Sequence, residues 1–412
     1  WAFSSSVDET RIRLLEEARN ALGDTTSPIT AQLLARLATE LHNAPGSWDR
    51  REALTAQSID VARRLGDPRT LARTLHARNY AMWAPGGASE RLALGREIVD
   101  LAHQGADPEL TLQGHAWCQV SLLELGDVTG LDRALVDYER LADELRQPRY
   151  RWYAMTRRTM RALLSGDLDE AERTARAALE LGRAAGQGDA ENIFVAQMFQ
   201  VWDERPSQEG IELSAAHAHT TEAAIAGQSL VVAFRLIHLL LLLQSPRRDE
   251  ARAELEESVP FALSKLDPTF YGMGWSILAT LSAAATARLG FPPAAGTLYD
   301  KLLPYAGLNA HNCGAVTFDG AYTHHLGMLA ATLERWGDAD EHFGAAAAMH
   351  QRMGAWAFLA RTWLEWGRML LLRRGPRDAE RARKFLGQAL GTARKLGVPN
   401  TERRAVQLLT SA

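Results

Sequence analysis

His311, Asn312 and Cys313 stand side by side, and a thiol next to an imidazole is the raw material of a nucleophilic pair. Neighbours in sequence point apart more often than together, so this cluster reads first as a structural loop. His217 and His219 are two residues apart, and His324 and His325 are adjacent. Both spacings send the rings to different faces of a helix, so neither pair makes a zinc site and no metal is expected. The acidic runs 167–172 and 249–257 are interleaved with arginines, as on a solvated helix face. None of the four lysines, Lys265, Lys301, Lys384 and Lys395, follows a glycine, so there is no phosphate-binding Gly-Lys-Ser/Thr loop. No catalytic residue is assigned and no cofactor is expected. An enzymatic alternative would draw on His311, Cys313, His324 and Arg157.

Whatever these side chains do depends on the elements that hold them. The chain has 412 residues, 46% of them hydrophobic, which is ample for a large folded body. A net charge of −4 provides no basic field for nucleic acid. Two cysteines cannot form a disulfide framework, and a reducing, cytoplasmic setting is expected. The chain begins at Trp1 without a charged and then apolar leader, and reads as a piece of a longer protein. Its most apolar run, Ser229–Gln244, is short and is interrupted by Arg235 and His238. It is expected to be a buried helix rather than a membrane span. The arginine-for-lysine bias, with abundant Ala, Leu and Gly, suggests a GC-rich, actinobacterial-type genome.

Proline exposes the organisation. Pro28, Pro68, Pro108, Pro148 and Pro268 share one register of 40, with Gly188 and Gln228 on the two intervening beats. The preceding Ser27, Asp67, Asp107 and Asp267 are capping residues, and proline at the first helical position loses no hydrogen bond. A second register, Pro45, Pro85, Gly126, Gly166, Pro206 and Pro246, breaks each repeat between two helices, A and B. Ile and Val total only 23, so sheet-forming residues are scarce. The pattern predicts an all-α, right-handed α-solenoid of about nine elongated helix pairs, with helix above about 65% of residues. The expected layout is one superhelix. An N-terminal helix occupies 1–27, regular repeats 28–302, an irregular loop 303–314, and further repeats with a closing helix 315–412.

Thr323, Leu326, Gly327, Ala330, Ala339 and Phe343, and then Trp363, Trp366, Gly367 and Leu370, follow the large–x–x–large–Gly signature of tetratricopeptide repeats. The segments 65–78, 146–153, 302–307 and 327–330 give the chain a wider resemblance. It resembles the repeat region of large bacterial regulators that join a STAND-type nucleoside triphosphatase to such repeats and an output domain, as in LuxR-type ATP-binding regulators. The resemblance implies an effector-sensing role in transcriptional regulation, with the ATPase and output domains as partners. This chain contains neither of those domains.

Eight of the eleven tryptophans fall in segments assigned to A helices. In such solenoids helix A lines the concave wall, where aromatic rings offer broad apolar contact. The expected ligand-binding residues are Trp117, Trp152, Tyr153, Arg157, Phe234, Arg235, Tyr271, Trp275, Phe318, Tyr322 and His324. They would hold a small, largely apolar molecule or a peptide, with no direct contact to nucleic acid or membrane. A protein-interaction scaffold is the alternative within the same fold. Trp363 and Trp366 are expected in the core.

Overall fold

The computed structural model describes residues 7–23, 25–225, 229–267, 274–312 and 314–411. The chain divides into two compact units, Trp1–Ala154 with Asp267–Trp275, and Met155–Leu266 with Ser276–Ala412. The first contains α1 (Glu9–Leu22), α2 (Pro28–Glu40), α3 (Trp48–Leu65), α4 (Pro68–Ala81), α5 (Ala88–Gln104), α6 (Pro108–Leu125) and α7 (Val128–Leu145). The division falls within α8 (Pro148–Ser165). The second unit continues with α9 (Leu168–Ala184), α10 (Ala190–Glu204), α11 (Gln208–Ile225), α12 (Ser229–Leu242), α13 (Arg248–Ser264), α14 (Trp275–Leu289) and α15 (Pro292–Leu302). A hairpin of β1 (Asn309–Asn312) and β2 (Thr317–Ala321) follows. After it come α16 (Tyr322–Thr332), α17 (Trp336–Met353), α18 (Trp356–Arg373), α19 (Asp378–Leu396) and α20 (Pro399–Thr410). The fold is an all-α solenoid, 81% helical. Among the described residues, nine helix pairs, α2/α3 through α18/α19, lie between a leading and a closing helix.

The proline register acts through capping. Pro28, Pro68, Pro108 and Pro148 each begin a helix. The side chains of Ser27, Asp67 and Asp107 accept from the backbone N–H groups of Thr30, Thr70 and Leu110 at 2.9–3.1 Å. They satisfy donors that the first helical turn leaves unpaired. The opposite ends of α3 and α6 stop at Gly66 and Gly126, whose φ values of 69° and 77° lie in the left-handed region. Pro268 lies outside the described residues.

The repeat signature works by close approach. A Cβ on Gly327 would sit 2.8 Å from the Phe343 ring, and one on Gly367 would sit 2.7 Å from Leu386. Only a hydrogen lets α16 and α17, or α18 and α19, come this near. Phe343 is fully buried and has no room to retreat. Gly327→Ala is therefore expected to destabilise the protein by about 1–3 kcal/mol through overpacking, measured as a lower urea midpoint at unchanged slope.

One stretch departs from the expected layout. The repeat pattern predicts a single A helix over Ala315–Arg335, yet α16 begins only at Tyr322. Residues 317–321, which would have formed its first turns, instead pair antiparallel with 309–312, Asn309 with Ala321 and Asn312 with Thr317, with a register shift at Ala310/His311. The positive φ values of Gly314, Ala315 and Gly320 are incompatible with a continuing helix. Gln197 on α10 donates to the Val316 carbonyl at 2.7 Å, and Gln200 donates to the Phe318 carbonyl at 2.8 Å. These bonds replace what the helix would have supplied. The segment 303–314 is thus partly ordered strand rather than wholly irregular.

Most of the apolar run at 229–244 forms α12, whose apolar side chains from Val231 to Leu242 are buried while Arg235 is exposed. Among the described residues, no helix is long and apolar enough to cross a membrane.

Candidate functional site

The second unit contains a cavity of about 810 Å³. Its walls come from α10, α14, α16, α18 and α20, with β2 and the start of α13. These are mostly A helices, and α20 packs against α10, so the lining helices meet again at the end of the unit. Phe199, Ile277, Leu281, Met328 and Phe358 give an apolar surface. By contrast, a hollow in the first unit, lined by His76, Tyr80, Tyr138 and Tyr153, measures only about 70 Å³. Such a volume suits a few waters, not an organic ligand.

A polar seam holds α20 in place. Glu204, 1% exposed, accepts from Arg361 Nε at 2.6 Å, from the Thr401 hydroxyl at 2.8 Å and from the Thr401 backbone N–H at 3.1 Å. The Asp203 carboxylate accepts from Arg288 and Gln244, both at 2.8 Å, while its carbonyl accepts from Asn400 at 2.8 Å. Burial acts to raise the Asp203 pKa, but the charges of Arg288 and Arg361 outweigh it and hold the carboxyl below its ordinary value. Glu365 accepts from Arg368 at 2.7 Å and from Arg404 at 2.5 Å. Burial again opposes ionisation there, and Arg404 and Arg368 overcome it, so this carboxyl stays far below the usual range. Four cavity arginines are thereby committed to structural carboxylates.

Asp319 on β2 lies at the same cavity and differs from these acids. Among the described residues it has no arginine partner; Gln200 donates to Oδ1 at 3.1 Å and Thr317 donates to Oδ2 at 3.2 Å. Burial pushes its carboxyl up to about 7 despite those two bonds. His324 and His325 line the same cavity, with ring centroids 5.3 Å apart and His325 Nε2 3.0 Å from the Asp319 carbonyl. Burial keeps both neutral: His325 falls to about 4 and His324 well below its ordinary value.

The raised Asp319 pKa has a consequence for stability. A carboxyl that holds its proton more tightly when folded contributes stability in full below its unfolded pKa. That contribution is lost as pH rises through about 7. The histidines act oppositely. His42, His76 and His325 titrate near 4 when folded, so their contribution is lost as pH falls from the ordinary imidazole range. The difference curve between wild type and Asp319→Asn isolates the carboxyl. The variant is expected to lose less stability than wild type between pH 4 and pH 7, read from urea midpoints across that window.

Of the residues expected from sequence at the binding wall, His324 lines this cavity. Trp117 is fully buried in the first unit, where its Nε1 donates to His76 Nδ1 at 3.0 Å and its ring meets Trp83 edge-on at 5.2 Å. Trp152 is buried against Tyr153, with centroids 4.6 Å apart. Arg157 and Trp275 are each 1% exposed. Phe234 packs edge-on against His217 at 4.4 Å, and Arg235 faces outward to Glu254 at 3.3 Å. Phe318 is on β2 against Phe358 at 4.7 Å, and the Tyr322 hydroxyl bonds Ser276 at 2.7 Å. Tyr271 lies outside the described residues. The aromatic wealth of the A helices thus goes mainly into packing between neighbours. Trp366, expected in the core, is half-buried instead, stacked on Phe385 at 4.0 Å with its Nε1 donating to Asp340 at 2.6 Å.

Sequence reasoning misses Asp319, His325, Asp203, Glu204 and Glu365, and it expects a closing helix without placing α20 at the cavity. Adjacent histidines look unusable as a pair because a helix separates their faces. Here His324 and His325 begin a helix directly after a strand, and both reach the cavity. His311 is buried on β1, and Cys313 lies outside the described residues. Cys118 is buried and free, with its thiol pushed up to about 11 by desolvation, which makes it a poor nucleophile. No group of three metal-ligating side chains occurs among the described residues.

The chain is an all-α repeat solenoid built of successive helix pairs. No protein-family profile matches the sequence, and no curated protein matches it. Solved structures align along nearly its whole length at low identity. The human IFIT1 dimer with m7Gppp-AAAA is 12% identical, with a TM-score of 0.40, covering 98% of this chain and 96% of that one. The APC/C hetero-tetramer Cut9-Hcn1 is 13% identical, with a TM-score of 0.31, covering 98% and 93%. A circular tandem repeat protein with a novel repeat topology is 13% identical, with a TM-score of 0.17, covering 97% and 86%. At these scores the likeness carries no argument about ligand or partner.

Proposed function

We propose that the second unit binds a small, largely apolar molecule in its 810 Å³ cavity, and that the chain is the effector-sensing repeat region of a multidomain regulator. The observation that carries the first part is the cavity itself. Its volume falls in the range of drug-sized sites, and its wall sets an apolar patch of Phe199, Ile277, Leu281, Met328 and Phe358 among many polar groups, of which Asp203, Glu204 and Glu365 are paired with arginines. The sensing role rests on the resemblance to STAND-linked regulators. In that role, a ligand that favours one packing of α20 on α10 would be felt along the stack.

N-phenyl-1-naphthylamine, a neutral dye that brightens in apolar surroundings, is a suitable probe. Ala284 lines the cavity on α14, and Ala284→Trp would fill part of it. Saturable dye binding by wild type is expected, with at least a tenfold loss in Ala284→Trp at unchanged helicity. Equal binding by both proteins would exclude the cavity as the site.

A second reading, an enzyme acting on that molecule, is favoured by Asp319. Near neutrality its carboxyl is shared between acid and base forms, and the neutral base His324 lines the same cavity. Turnover of a bound compound that disappears in Asp319→Asn, with binding retained, would establish this reading over the sensor.

A further inference from the structure

We propose that the end of the cavity formed by Asp319, His324 and His325 receives a neutral hydrogen-bond donor, so that the ligand is an apolar molecule bearing a hydroxyl group and not an acid or an amine. This inference deepens the small-molecule reading and rests on it.

The argument is proton accounting. His350 is fully buried, and its Nε2 accepts from the Ala321 backbone N–H at 2.9 Å, so its ring proton must be on Nδ1. That Nδ1–H donates to Thr362 Oγ1 at 3.0 Å. The Thr362 hydroxyl sends its own proton to the Phe358 carbonyl at 2.9 Å. Thr362 Oγ1 has only acceptor capacity left, and His324 Nδ1 lies 3.0 Å from it. His324 is therefore the Nδ1–H tautomer, and its Nε2 carries a bare lone pair.

The same reasoning fixes the neighbour. His325 Nε2 is 3.0 Å from the Asp319 carbonyl, which can only accept. The proton is thus on Nε2, and Nδ1 is left as an acceptor. This Nδ1 is buried without a hydrogen-bond partner among the described residues, in a side chain that lines the cavity and is only 6% exposed. Desolvation keeps both rings neutral, so protonation cannot cap either lone pair near pH 7. A buried acceptor left unmade is costly, so whatever enters this end must donate.

Charge narrows the donor. A carboxylate would face two lone pairs and the Asp319 carboxyl. An ammonium would give up its hydration to two neutral rings, because the cavity carboxylates Asp203, Glu204 and Glu365 are already paired with Arg288, Arg361, Arg368 and Arg404. A neutral hydroxyl meets neither penalty, and the patch of Phe199, Ile277, Leu281, Met328 and Phe358 accommodates the rest of the molecule.

The test uses four probes on one skeleton: biphenyl, 4-phenylphenol, biphenyl-4-carboxylate and 4-phenylbenzylamine, each competing with N-phenyl-1-naphthylamine on the full chain. The phenol is expected to bind at least tenfold more tightly than biphenyl, and the two charged probes more weakly than the phenol. His324→Phe should bring the phenol to within about threefold of biphenyl, since a site built for a donor loses discrimination when its acceptor goes. Wild type with ¹⁵N-labelled histidine gives a readout that survives misfolding of the variant. The His324 Nε2 and His325 Nδ1 resonances should be those of unprotonated nitrogens, and at least one should move upfield when the phenol is added. If the dye binds and Ala284→Trp blocks it, but biphenyl or a charged probe binds as well as the phenol, the donor assignment is overturned while the cavity reading stands. Protonation of the two nitrogens would overturn the donor assignment in the same way. If the dye itself fails to bind, both fall.

Discussion

Glu204→Ala is expected to lower the unfolding free energy by about 3–5 kcal/mol, the range for breaking a buried ion pair from one side. Glu204 is 1% exposed and receives three hydrogen bonds, two of them from Thr401 and one from Arg361. Removing the carboxylate leaves the Arg361 guanidinium without that partner and the first turn of α20 without its anchor. Much of the loss is the cost of stranded polar groups, not the worth of the pair. Glu204→Gln keeps the size and some hydrogen bonding, so its loss should be smaller, about 1–3 kcal/mol. Urea unfolding measures both. Limited proteolysis should additionally show cleavage near Val398–Pro399 in the alanine variant before the rest of the unit opens, because α20 loses its seat on α10. Equal stability of the alanine variant and wild type would mean that the seam is not what holds α20. Dye binding should weaken together with α20, since Arg403, Arg404 and Gln407 belong to the cavity wall.

Trp117→Ala is expected to cost about 3–5 kcal/mol, as for truncating any large, fully buried aromatic side chain. The indole leaves a void beside Trp83, and His76 Nδ1 loses its donor. His76 is itself kept neutral, near pKa 4, by desolvation, so it cannot recover by taking a proton near pH 7. Trp366→Ala should cost less, because that ring is half-buried and keeps one face toward Arg381. Dye affinity at the second unit's cavity should be unchanged in folded Trp117→Ala. Denaturant curves and dye titrations on the same samples separate packing from binding. A Trp117→Ala protein that is as stable as wild type but cannot bind dye would reverse the assignment.

The repeat architecture can be read from sequence because its determinants are local. A capping Ser27 or Asp67 before proline, or a left-handed glycine such as Gly66, acts within one turn of chain, and 40-residue spacing repeats that act. Gly327 with Phe343 is legible for a similar reason, since they meet between adjacent helices. Burial of individual aromatics is not legible in the same way. An amphipathic pattern shows which face of a helix is apolar, but Trp152 and Trp275 lie on helices that are buried on more than one side.

The site depends on contacts far apart in sequence. Gln200 reaches Asp319 across 119 residues, Glu204 reaches Thr401 across 197, and Arg361 reaches Glu204 across 157. No local periodicity encodes such meetings; they arise when β2, α18 and α20 come back to α10. The hairpin is a further case, because a strand in place of two helical turns is stable only where Gln197 and Gln200 supply its missing bonds. Sequence alone therefore determined the all-α repeat, the capped starts of helices such as α2, α4 and α6, and its lack of a phosphate loop, since each depends on neighbours along the chain. The tertiary structure decided where the cavity lies, which acids are neutralised by arginine, and why Asp319 is not. Desolvation and ion pairing depend on what surrounds a group in space, and the order of the residues does not state that.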